Sequence, residues 1–190
     1  FLQSKTEDRF HSFIHFGCTS EDINSTSYAL MLRDGSKKIR GFFETAILEN
    51  LKTKSLDWKT IPMLSRTHGQ TATPTTLGKE FAVFYKRLND ILVNHTVKFS
   101  AKFSGATGNF AAHISAYPEA NWPALSEEFV TERLGLTWNI LTTQVEPHDE
   151  QAKLMNEISR ASTVMIDLCR DIWGYISLGY FGQKVVKGEV

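Results

Sequence analysis

Residues 148–181 read HDEQAKLMNEISRASTVMIDLCRDIWGYISLGYF, and the spacing within them decides the fold. Leu154, Ile158, Ala161, Met165, Leu168, Ile172 and Ile176 recur at steps of four and three, nearly a heptad seam. That spacing predicts one helix over residues 148–181, about 50 Å long at 1.5 Å rise per residue. A helix of that length packs in a bundle rather than standing alone in water. The fold class expected is all-α, a bundle of long helices. The seam is longer than the other helices of a 190-residue chain are expected to cover, so its apolar face should meet partner subunits.

Outward from this helix, the same periodicity marks others. A second long helix is expected from about residue 20 to about residue 56, with Gly35 as its weak point. Its second half carries an apolar stripe of Ile39, Phe42, Phe43, Ala46 and Ile47. A third should span residues 76–99, with Phe81, Phe84, Leu88, Ile91 and Leu92 on its buried side. Residues 7–16 read as the end of a helix, with Phe10, Phe13 and Ile14 on one face. Residues 122–134 read as a short helix with Gly135 as its C′ cap. Residues 57–75 and 103–121 read as loops, and residues 137–144 as a short extended segment.

Composition narrows the function classes. Hydrophobic residues make up 42% and charged residues 22%, as in an ordinary globular protein. The formal net charge is +0 with no strong basic run, so nothing marks a nucleic-acid or anionic-membrane partner. No stretch has the uninterrupted apolar length of a membrane span. Cys18 and Cys169 are too few for a disulfide framework and read as thiols of a reducing cytoplasm. His11 and His15 lack the Glu of a helical zinc motif, and no metal or cofactor is expected. The chain starts as Phe1-Leu2-Gln3 and stops at Val190 without a terminating pattern, so it is expected to be part of a longer protein.

Chemistry-capable residues gather in four clusters. Thr19-Ser20-Glu21-Asp22-Ile23-Asn24 offers hydroxyls and free amides at a helix start, which bind carboxylates or simply cap the helix. Ser65-Arg66-Thr67-His68-Gly69-Gln70 brings an imidazole able to move protons near neutrality, or is a helix-entry loop. Ser104-Gly105-Ala106-Thr107-Gly108-Asn109 could cradle a ligand or turn the chain. Thr142-Thr143-Gln144-Val145-Glu146-Pro147-His148-Asp149 precedes the long helix and could cap it.

In order and spacing, three of these clusters resemble the fumarase/aspartase superfamily of lyases. Residues 18–24 resemble its first signature region. Ser65-Arg66-Thr67-His68-Gly69-Gln70, followed by Ala72-Thr73-Pro74-Thr75-Thr76 and Gly78-Lys79-Glu80, resembles the second. Gly69 after the histidine and the Thr-Pro-Thr-Thr tail look like the adenylosuccinate lyase branch, and residues 142–149 are similar to a segment of its bacterial members.

The resemblance implies a β-elimination that releases fumarate from a succinylated purine nucleotide, a step of purine biosynthesis. By the same resemblance, His68 matches the general acid, and Thr19, Ser20, Thr67 and Gln144 match substrate-binding residues. It also implies a homotetramer whose active sites are shared between subunits. Residues 1–18 would end an N-terminal helical region and residues 19–190 would form most of the central bundle. The superfamily's third signature, a Gly-Ser-Ser-x-Met-Pro-x-Lys-x-Asn loop bearing the base serine, does not occur among these residues. Two other readings share the same residues: another lyase of the superfamily, such as argininosuccinate lyase, and a non-catalytic helical oligomerisation module.

Overall fold

The computed structural model describes residues 1–182 and 184–188. Helix dominates. In chain order the regular elements are α1 (Ser20–Phe42), α2 (Glu49–Asp57), β1 (Pro62–Thr67), β2 (Gln70–Thr76), α3 (Leu77–Val93), β3 (Ser100–Ala101), α4 (Ala111–Ala116), α5 (Trp122–Glu128), β4 (Thr137–Trp138) and α6 (Asp149–Ser177). Wider π-type turns over Phe43–Leu48 join α1 to α2 without a break, as the Glu49 N–H bonded to Glu44 O shows. The expected helix from about residue 20 to about residue 56 is therefore present, and its irregularity lies at 43–48 rather than at Gly35.

The chain divides into two compact units, each made of two separated lengths: Phe1–Lys38 with Val97–Lys153, and Ile39–Thr96 with Leu154–Val190. In the first unit, Ala29, Ala101, Val130 and Leu136 form the buried centre, with Leu30, Phe99, Phe103, Leu134 and Trp138 packed around them. β3 and β4 pair in parallel there, Ser100 opposite Thr137 and Ala101 opposite Trp138. The helical run from α5 ends where expected: Gly135 takes φ +62°, and its N–H donates to Thr131 O at 3.0 Å.

The second unit is organised around α3. Phe81, Phe84, Leu88 and Ile91 are buried at helical spacing and share a core with Leu48 and Leu51 and with Ala161, Val164 and Leu168 of α6. Met165 and Ile172 pack against the same core. Most of the α6 seam is thus covered by helices of its own chain, which corrects the expectation that partner subunits cover it. The flank left exposed is a different one, carrying Met155, Ile166 and Trp173, the last 73% exposed.

Five local expectations also change, the first being that residues 103–121, read as loop, hold the short helix α4 at Ala111–Ala116. Residues 57–75 hold the β1–β2 hairpin instead of a loop. Pro62 is tolerated as the first strand residue, and Pro74 sits in a two-stranded sheet, where every strand is an edge. Residues 7–16 form a 3₁₀ turn over Asp8–Phe13 with no buried residue, too short and too unsupported to hold α geometry. α3 stops at Val93, where the Asn94 side chain donates to Asp90 O at 2.8 Å. The extended segment within 137–144 is reduced to Thr137–Trp138.

Candidate functional site

His68 owes its position to a tight turn. The β1–β2 register ends at Thr67 opposite Gln70, which leaves His68 and Gly69 as the two turn residues. Their φ angles are +53° and +72°, and positive φ at both positions is the mark of a type I′ turn, whose twist suits a hairpin. Glycine adopts this freely; His68 holds it against the usual preference of an L-residue. The imidazole therefore sits at the hairpin apex, exposed, with Thr67 exposed beside it. Behind the apex, the Ser65 hydroxyl donates to Thr73 O, and the Tyr180 hydroxyl ties Leu64 O to the end of the chain at 3.2 Å.

The first unit gathers the other three polar clusters. Thr19 is the residue before α1, and its N–H donates to Asp22 Oδ2 at 2.8 Å, one half of a capping box. Asp22 does not face water; it is 1% exposed. Its other oxygen accepts from the Ser104 N–H at 2.9 Å and the Gly105 N–H at 3.3 Å and lies 3.0 Å from Lys102 Nζ. Lys102, wholly buried, also donates from Nζ to Gly105 O at 2.6 Å and to Gln144 O at 3.0 Å. A Cβ on Gly108 would lie 2.2 Å from Thr142 O, so glycine alone lets the 104–109 loop rest on the segment that carries Gln144. Glu146, also buried, holds that segment by accepting from the Asn139 side chain at 3.1 Å and from the His148 N–H at 2.7 Å.

Thr19 and Gln144 thus belong to one polar web in the first unit; Ser20 follows Thr19 at the start of α1, and Ser20 and Gln144 are exposed. His68 and Thr67 belong to the second unit. Sequence reading missed Lys102 and His113. His113 is 1% exposed, neither ring nitrogen has a hydrogen-bond partner, and its ring packs among Phe103, Phe110 and Trp122. Burial pushes its pKa below the usual histidine value; Lys102 adds to that and Asp22 opposes it. Burial, helped by Asp22, likewise pushes the Cys18 thiol up.

The His113 shift has a definite sign. The unfolded chain takes up the proton at a higher pH than the folded chain, so stability falls as pH drops below the unfolded value, about 6.5. The loss is complete once pH passes the depressed folded value. His113→Phe removes the titrating group from an aromatic surround and should flatten this component. Thermal midpoints measured from about pH 8 to about pH 5 check it; equal slopes in both proteins would refute the assignment.

Among the described residues no helix is long and apolar enough to cross a membrane. A family model described as lyase matches residues 4–190. The chain belongs to the lyase family. Similar curated relatives of this lyase-family chain are named adenylosuccinate lyase. That of Vibrio cholerae serotype O1 is 46% identical over 181 residues, covering 95% of this chain and 40% of the relative. That of Escherichia coli K12 is 48% identical over 94% of this chain and 39% of the relative. That of Dictyostelium discoideum is 49% identical over 94% and 39%. The lyase-family chain thus spans about two fifths of these relatives' length. Among solved structures, the fumarate lyase of Mesorhizobium sp. BNC1 aligns with TM-score 0.71 at 25% identity, over 85% of this chain and 37% of that one. The β-carboxy-cis,cis-muconate cycloisomerase of Acinetobacter calcoaceticus sp. ADP1 aligns with TM-score 0.75 at 21% identity, over 91% and 39%, a likeness of fold.

Proposed function

We propose that the full-length protein carrying these residues is a cytoplasmic adenylosuccinate lyase that needs no cofactor. It splits adenylosuccinate into AMP and fumarate, and the succinylated imidazole-carboxamide ribotide into its carboxamide and fumarate. The observation that carries this reading is the 46–48% identity to adenylosuccinate lyases over nearly the whole chain. A base removes the proton from the carbon next to a carboxylate, the C–N bond breaks, and His68 gives a proton to the departing nitrogen. The base is a serine on a loop outside these residues. The carbon acid is weak, so the charge that builds on the carboxylate needs donors aimed at it. Thr19, Ser20, Thr67 and Gln144 supply them as substrate-binding residues. The nitrogen leaves poorly unless protonated, which suits an exposed imidazole.

Loss of adenylosuccinate absorbance with the purified full-length protein tests the reading. Turnover of adenylosuccinate and none of argininosuccinate is the expected result; the reverse would overturn it.

The protein works as a homotetramer whose active sites draw residues from more than one subunit. The exposed apolar flank of α6, with Met155, Ile166 and Trp173, supports this by offering surface for a partner helix. A His68 variant and a variant of the base serine, each inactive alone, should regain activity when unfolded and refolded together. Mixed tetramers that form and stay inactive would exclude shared sites.

A further inference from the structure

We propose that Lys102 is a positioning residue that sets the spacing between the Thr19–Ser20 helix start and Gln144, and through it the affinity for the substrate. The inference rests on the substrate assignment above. Lys102 lies outside the three clusters that resemble lyase signatures, two residues before the Ser104–Asn109 loop. Its placement marks it. An ammonium group has three protons to donate and no lone pair. Here two are donated, to Gly105 O at 2.6 Å and to Gln144 O at 3.0 Å, and the charge pairs with Asp22 Oδ1 at 3.0 Å. Asp22 in turn accepts the Thr19 N–H at 2.8 Å through its second oxygen. Thr19 and Gln144 are therefore joined by one short path through two side chains, both wholly buried.

The backbone of Lys102 is fixed as well. Ser25 Oγ accepts from the Lys102 N–H and donates to its carbonyl, each at 3.2 Å. A buried ion pair adds little stability over an apolar pair of the same volume. What such a pair does give is a fixed geometry, and here every bond it makes lands on a loop or helix start of the polar web. The hub holds the three clusters of the first unit at fixed distances while Ser20 and Gln144 stay exposed to a ligand.

The test uses the full-length protein and pairs Lys102→Met with Asp22→Asn, so that no charge is left buried alone. Hydrogen bonds to charged groups are strong enough for their loss to raise KM about tenfold or more. The expected result is that rise, with kcat within about threefold and a thermal midpoint recovered relative to Lys102→Met alone. Amide exchange should quicken at Thr19, Ser104 and Gly105 while Ala29 and Val130 keep their protection. Lys102→Arg keeps charge and donors and should lie between wild type and the double variant in KM. A double variant with normal KM and normal exchange would reduce Lys102 to a charge-balancing residue and overturn the proposal. If the double variant does not fold, Ser25→Ala decides: it frees the Lys102 backbone and leaves both charges paired, and an unchanged KM with unchanged exchange would overturn the proposal too. A wild-type protein that does not turn over adenylosuccinate would instead sink the substrate assignment, and the substrate role of Lys102 with it.

Discussion

His68→Asn should lower kcat by roughly 10²–10⁴-fold and leave KM nearly unchanged. Asparagine is the informative replacement because of the turn. His68 and Gly69 both take positive φ, and Asn-Gly is among the sequences best suited to a type I′ turn. The variant keeps the hairpin, its register and its apex, and loses only the group that can hand over a proton. Alanine would remove the acid and also strain the turn, since it tolerates positive φ poorly. The proton matters most when negative charge has built on the departing nitrogen, so the loss belongs to the transition state. Steady-state kinetics on the full-length protein, with circular dichroism to verify the fold, give the answer. A kcat close to wild type would make His68 a turn residue and nothing more.

Leu88→Ala should cost about 2–5 kcal/mol of stability. Leu88 is 0% exposed, near the middle of α3, and lies within the core that α2, α3 and α6 share in the second unit. Truncation there loses transfer free energy and leaves a cavity between helices that cannot fully close. Against the roughly 5–15 kcal/mol that holds a typical protein folded, this is a large fraction. Leu56→Ala is the control. Leu56 is 56% exposed, and a surface change of this kind typically stays within about 0.5 kcal/mol. Urea titration should move the Leu88→Ala midpoint far more than the Leu56→Ala midpoint, with similar slopes. Equal midpoints for the two variants would mean that α3 is not the centre of that core.

The helices were legible because their signal is periodic and local. Leu154, Ala161 and Leu168 mark α6, and Phe81, Phe84 and Leu88 mark α3, in any reading at steps of three and four. The hairpin was less legible because only Met63 of β1 is buried, so no alternation of apolar and polar residues announces a strand. Its signal was the β-branched run Thr71, Thr73, Thr75 and Thr76, masked by Pro62 and Pro74. Asp22 was legible only as a member of a helix-start cluster; its burial depends on Lys102, 80 positions further along. Lysine is almost never wholly buried without a partner, and no local pattern names a partner that far away. His113 was invisible for the same reason: its surround of Phe103, Phe110 and Trp122 is a product of the fold.

The interleaving of the two units has a consequence for synthesis. Each unit is made of two lengths of chain, and residues 39–96 separate the two lengths of the first. A ribosome moving at roughly 5–20 residues per second needs about 3–12 s to make that intervening stretch. For that time Asp22 is on a nascent chain without Lys102, and Ala29 without Ala101 or Val130. The second unit in turn waits for residue 154 and beyond. Neither unit can be completed while the other is unstarted, so the order in which the chain emerges binds their folding into one schedule.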